Sequence, residues 1–165
     1  KNGIGDLVEA IAVVAKEIPD VKLIIIGNGY LEKELKLKTK NLGLEDRVQF
    51  LGEIPNESLP KYLSMADVFV RPSLSEGLGT AFLESMAAGL PVIGTPVGGI
   101  PDFLKDGETG LFCNVSDPED LAEKIARILK DEPLREKIIN NARMLMTEKY
   151  DWNIIAGKFA EIYAG

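Results

Sequence analysis

A chain of 165 residues, 45% of them hydrophobic, is long enough to bury one core and is near the usual length of a single domain. Its 26 acidic and 19 basic side chains leave a net charge of -7, with no Lys or Arg run fit to track a nucleic-acid backbone, which argues against nucleic acid as a partner. Histidine is absent and Cys113 is the single cysteine, so Ser-His and Cys-His nucleophiles, imidazole or thiolate metal sites and an intrachain disulfide are excluded, and a reducing, cytoplasmic setting fits.

No apolar run reaches the roughly eighteen residues of a membrane span, and the start does not read as a signal peptide. The chain opens at Lys1-Asn2-Gly3, directly before a helix and without a leading strand, and is expected to be a trimmed piece. Leu7, Ala10, Ile11, Val14, Ala15 and Ile18 recur at three and four, which predicts a helix with one apolar face, Asp6 as its cap and Pro19-Asp20 as its end. Val21 to Ile26 is a β-branched apolar run stopping at Gly27-Asn28-Gly29, as a strand buried on both faces should. The alternation continues with a helix around Leu31 to Leu42, a strand at Val48 to Leu51, a helix from Ser58 to Met65 and a strand at Val68 to Arg71. Then come a helix from Gly79 to Ala88, a strand from Pro91 to Gly94, a short element near Ile100 to Leu104 and a strand from Gly110 to Cys113. Asp117-Pro118 caps one further helix, Pro133 opens the next, and Trp152 to Tyr163 forms a last amphipathic one. Strands separated by helices specify an α/β, doubly wound, Rossmann-like fold around an open parallel sheet. Ligands in such sheets bind outside the carboxyl ends of the strands.

The richest loop there is Arg71 to Thr80, which leaves a strand and enters the helix Ala81 to Ala88. Gly77 and Gly79 at the helix mouth either make a tight turn or let the backbone approach a phosphate with unpaired N–H groups aimed at it. Glu84 sits on a helix otherwise apolar or small, so it is either buried and in need of partners such as the two hydroxyls of a ribose, or placed at the helix's one wet position. Glu76 precedes the helix. The pair could straddle a scissile bond as in a glycosidase, with carboxyls about 5 to 9 Å apart, but the glycine turn between them favours two contacts to one nucleotide-linked sugar.

Gly27-Asn28-Gly29 lacks the third glycine and the later acidic residue of a dinucleotide fingerprint, and no G-x-x-x-x-G-K-[ST] occurs, so neither NAD nor a P-loop is indicated. Gly98-Gly99 beside Asp102 reads equally as a plain loop or as part of a cleft.

Taken together the motifs resemble the donor-binding domain of the group 1 glycosyltransferases of the GT-B class. Ile25-Ile26-Gly27-Asn28-Gly29 is similar to the family's I-x-G-x-G, Val48 to Gly52 to its V-x-F-x-G, and Ala66 to Ser73 to its A-D-x-x-x-x-P-S. Glu76 and Glu84, seven residues between them, resemble its double-glutamate motif, continued by Gly89-Leu90-Pro91-Val92-Ile93 and Gly98 to Asp102. The resemblance covers Lys1 to Tyr163 and implies one nucleotide-sugar-binding domain over residues 1–165, the C-terminal half of a two-domain enzyme. That half would lack its first strand and the N-terminal acceptor domain, with residues 150–165 forming the helix that crosses back to that domain.

The same resemblance implies that Glu84 holds the ribose, the backbone of Gly77, Leu78, Gly79 and Thr80 holds the diphosphate, and Glu76 contacts the donor sugar near the reacting carbon as the catalytic residue. Gly27 and Gly29 belong to the donor site, and the base rests near Ile54. The family's Arg would precede Lys1 and its Lys falls at Asn2, leaving Lys1 as the substitute one residue earlier; Asp102 replaces a usual Glu. The implied activity is hexosyl transfer from a nucleotide diphosphate sugar to an acceptor hydroxyl, with retention of configuration and without a metal or other cofactor. The isolated half is expected to bind donor without turnover. The absent domain would supply the sugar or lipid acceptor site and any attachment to the inner membrane surface. Two rival readings are the non-catalytic half of a split glycosyltransferase and a sugar-nucleotide epimerase domain.

Overall fold

The computed structural model describes residues 2–151; Lys1 and the expected helix from Trp152 to Tyr163 lie outside the described residues. Helices and strands alternate as α1 (Ile4–Glu17), β1 (Leu23–Ile26), α2 (Glu32–Asn41), β2 (Val48–Gly52), α3 (Leu59–Met65), β3 (Phe69–Arg71), α4 (Thr80–Ala87), β4 (Val92–Gly94), α5 (Ile100–Phe103), β5 (Leu111–Phe112), α6 (Pro118–Lys130) and α7 (Glu132–Lys149). A single 3-10 turn, Asn56–Ser58, precedes α3. Every strand pairing is parallel, as the crossover helices require.

The strands form two ladders, β1-β2 and β3-β4-β5, instead of the one continuous sheet expected. In the first, Leu23 faces Val48, with a register shift between Ile25 and Ile26; in the second, Val70 faces Ile93 and Ile93 faces Leu111. Among the described residues only β4 pairs on both sides; β1, β2, β3 and β5 each pair on one side, so four strand edges stay without a ladder.

Alternation along the strands sorts side chains between two cores. Leu23, Ile25, Val48, Val70, Ile93 and Leu111 meet one face of α1 and α6, where Leu7, Val8, Ile11, Val14, Leu121, Ile125 and Ile128 are buried. Phe69, Val92 and Phe112 point the opposite way and pack with Phe82 and Met86 of α4, Phe103 of α5, and Ala142 and Met146 of α7. The β3-β4-β5 ladder is thus covered on both faces. The β1-β2 ladder is not: Ile24 and Ile26 remain 40% and 38% exposed, which corrects the expectation that β1 is buried on both sides. A continuous apolar run has no wet face to reveal which of its sides a neighbour will cover.

Helix starts follow local chemistry. The Asp117 carboxylate accepts the Asp120 N–H at 3.0 Å, as the sequence predicts, and the Asp131 carboxylate accepts the Leu134 N–H at 3.0 Å, so α7 begins at Glu132 with Pro133 inside its first turn. Asp6 does not cap α1. The helix starts earlier, at Ile4, after Gly3 in the left-handed region (φ 64°), and Asp6 lies within its first turn.

Candidate functional site

The loop after β3 is held by three elements. A series of ring contacts, Phe69–Phe82 (edge-on, centroids 5.1 Å apart), Phe82–Phe103 (tilted, 5.9 Å) and Phe103–Tyr150 (edge-on, 6.5 Å), fixes α4 and α5 on the sheet. Burial pushes the Tyr150 phenol's pKa up, helped by the negative charge of Asp102. Gly94 on β4 leaves room for Phe82, whose Cε1 would lie 2.8 Å from a β-carbon at position 94. Full burial of a ring like Phe82 is worth about 1.5 to 3 kcal/mol. The helix that carries Glu84 is therefore anchored by its other face.

The loops after β3 and β4 are stitched together through main-chain contacts. Thr95 Oγ1 donates to the Ser73 carbonyl, both side chains being buried, and the Gly99 N–H donates to the Gly77 carbonyl at 2.9 Å. A β-carbon at Gly99 would come within 2.7 Å of that carbonyl oxygen, and one at Gly98 within 1.8 Å of the Glu76 carbonyl oxygen. Of the two readings open for Gly98-Gly99, the structure shows a loop that builds the Glu76–Gly79 segment by close backbone approach. At the other end, Gly3 abuts the Pro72 carbonyl, which brings Asn2 beside the same loop.

Within it the Glu76 carboxylate, 14% exposed, folds back onto its own turn. It accepts the Gly77 N–H at 3.2 Å and the Ser73 hydroxyl at 3.3 Å, and it pairs with the Arg71 guanidinium at 3.1 Å. Gly79 takes φ 74°, which favours glycine, and Ile100 Cδ1 would lie 2.8 Å from a β-carbon there. Gly77 is open, with nothing within 4 Å of a β-carbon. The N–H groups of Leu78, Gly79, Thr80 and Ala81 have no hydrogen-bond acceptor among the described residues. These donors open α4 at the carboxyl end of β3, as the first groups of a helix do.

Glu84 is exposed, and no partner within the described chain engages it. Of the two sequence readings, burial is therefore overturned. Phe82, Ser85 and Met86 turn inward, while Glu84, Ala87 and Ala88 form a wet face that alanines hide from a hydropathy count. Its carboxylate is open to an external hydroxyl pair. Gly27 and Gly29 lie in the loop after β1, tied to the loop after β2 by the Gly27 N–H donating to the Gly52 carbonyl at 2.7 Å. Ile54, half-buried, is two residues further along that loop. The sequence candidates thus fall into two groups at carboxyl ends of strands, one after β1 and β2, the other after β3 and β4; Lys1 lies outside the described residues. Sequence reasoning passed over Arg71, although a charge closing an apolar strand just before Pro72 was a signal to notice.

Among the described residues no group of three or more His, Cys, Asp or Glu is arranged to hold a metal ion, and no helix is long and apolar enough to cross a membrane. Cys113 is buried, its thiol pKa pushed up to about 12 by burial, and its S–H lies 3.5 Å from the Gly94 carbonyl.

Residues 1–145 match the family model described as Glycosyl transferases group 1. The N-acetyl-alpha-D-glucosaminyl L-malate synthase of Bacillus anthracis is 37% identical over 158 residues, which is 96% of this chain and 41% of that protein. The crystal structure of the C-terminal domain of a group 1 glycosyl transferase (LpcC) from Francisella tularensis superposes with a TM-score of 0.83 at 32% identity, covering 92% of this chain and 80% of that one. Anabaena HepE in complex with UDP-glucose superposes with a TM-score of 0.90 at 27% identity, over 99% of this chain and 45% of that one. The chain spans less than half the length of the curated relatives it matches. With α/β architecture, parallel ladders and the matched residues in agreement, the chain belongs to the group 1 glycosyltransferases and corresponds to the C-terminal domain of a GT-B enzyme.

Proposed function

We propose that this chain binds the nucleotide diphosphate sugar donor of a retaining, metal-independent glycosyltransferase. The observation that carries the reading is the Gly77–Thr80 segment. It opens α4 at the carboxyl end of β3 with an unobstructed face at Gly77 and three main-chain N–H groups, those of Leu78, Gly79 and Thr80, without acceptors among the described residues, and the Ala81 N–H follows as a fourth. Such donors, together with the positive end of a helix, suit a diphosphate. Glu84 on the wet face of the same helix would take the ribose hydroxyls, and Glu76 at the head of the loop would face the sugar. Gly27, Gly29 and Ile54 would border the base. In the whole enzyme the bond from the anomeric carbon to the diphosphate oxygen breaks, and one to an acceptor hydroxyl oxygen forms. Main-chain N–H groups and basic side chains would stabilise the departing diphosphate. A second domain would bring the acceptor, and a strand N-terminal to α1 would join β1 to β3.

Titration calorimetry of the protein with UDP, GDP and ADP tests the reading. Selective binding of one of them supports the donor site and identifies the base, whereas binding of none defeats it.

A further inference from the structure

Arg71 is an unusual residue to close a strand. Val68 and Val70 belong to one core and Phe69 to the other, so an apolar side chain would be expected at this place too. Its guanidinium instead reaches two acceptors, both through Nη2: Glu76 Oε2 at 3.1 Å and Asn2 Oδ1 at 3.4 Å. Its Nε is buried with no hydrogen-bond partner, the one such side-chain atom among the described residues. Arginine carries five N–H donors in a planar fork that matches two oxygens at once, and here that fork is only partly engaged. Its one charged partner, the Glu76 carboxylate, also accepts the Gly77 N–H. Glu76 thus occupies donors at the turn where the proposed diphosphate would lie.

We infer that Arg71 is an ionic clasp for the donor: in the free protein it holds Glu76 down on the glycine turn, and on binding it passes its fork to phosphate oxygens and releases Glu76 toward the sugar. The inference rests on the donor-site reading above. No bond is made or broken; a carboxylate and a phosphate exchange places on one cation. A diphosphate, with more oxygens and more charge than a monophosphate, is the ligand best able to displace a carboxylate from such a fork.

The test is calorimetry on the wild type, Arg71→Met, Arg71→Lys and Glu76→Gln, each with UDP, GDP and ADP and with the matching monophosphates. Arg71→Met is expected to lose about tenfold in affinity for the diphosphate that the wild type prefers, the loss of one charged hydrogen-bonded contact. Its affinity for the monophosphate should fall less, so the diphosphate preference shrinks, which a merely structural role would not cause. Arg71→Lys keeps the charge without the fork and should fall between the two. Glu76→Gln, which releases the cation from its competitor, should bind the diphosphate more tightly than the wild type. If Arg71→Met does not fold, Arg71→Lys decides. Wild-type diphosphate preference in the Arg71 variants, or unchanged or weaker binding in Glu76→Gln, overturns the clasp while leaving the donor site standing. Failure of the wild type to bind any diphosphate overturns both.

Discussion

Gly98 lies flat against the main chain of Glu76, so close that a β-carbon at position 98 would stand 1.8 Å from the Glu76 carbonyl oxygen. With φ at 56° the position is also one that L side chains rarely adopt. Gly98→Ala is therefore expected to destabilise the fold by about 3 kcal/mol, through backbone displacement and left-handed strain together. Gly77→Ala, where nothing lies within 4 Å, should stay within about 0.5 kcal/mol of wild type. Urea denaturation of the two variants separates them; equal midpoints would contradict the described approach of the two loops.

Glu84→Ala should leave the melting temperature unchanged, because the side chain is exposed and unengaged. It should weaken nucleoside diphosphate binding by about 1 to 3 kcal/mol, the usual penalty for losing hydrogen bonds to a charged group. Calorimetry reads the second effect and thermal unfolding the first. Unchanged affinity would remove Glu84 from the ribose.

The Cys113 thiol resists ionisation up to about pH 12, while in the unfolded chain it ionises near its ordinary value of 9.0. Between those values the unfolded state binds fewer protons than the folded one, so this group makes stability fall as pH rises. The slope should approach one proton, about 1.4 kcal/mol per pH unit. Below pH 9 it contributes no pH dependence. A thiol reagent at pH 8 should label the protein only after denaturant is added, and Cys113→Ala should flatten the alkaline loss of stability.

Asp131→Ala removes the side-chain acceptor of the Leu134 N–H at the start of α7. The expected cost is about 1 kcal/mol, most of it restored by Asp131→Asn, which keeps a capping oxygen. Chemical denaturation of the pair decides whether the cap or the charge matters.

Order and type of the elements were legible in the sequence because they rest on local periodicity: the 3.6 repeat from Leu7 to Ile18, the β-branched run before Gly27, and the Asp117-Pro118 start all survive in the structure. What was not legible depends on partners distant in the chain. Nothing in Val21 to Ile26 tells whether the strand continues into Val68 to Arg71 across a shared edge, and the two lie in separate ladders. The wet side of α4 was hidden because Ala87 and Ala88 count as apolar though both face water. Gly98 looked like an ordinary loop glycine because its reason for being glycine is the backbone of Glu76, 22 residues away.

The two ladders share no backbone hydrogen bonds among the described residues and are tied by side-chain packing beneath α1. Backbone ladders transmit order from strand to strand, whereas side-chain packing alone lets the two ladders loosen separately. The chain should consequently exchange its amide hydrogens in two units: β1 and β2 first, with Ile24 and Ile26 already facing water, and β3, β4 and β5, enclosed by helices on both sides, long after. An extended segment pairing with the β1 edge would join the two ladders, and the exchange of β1 and β2 should then slow toward that of the other unit.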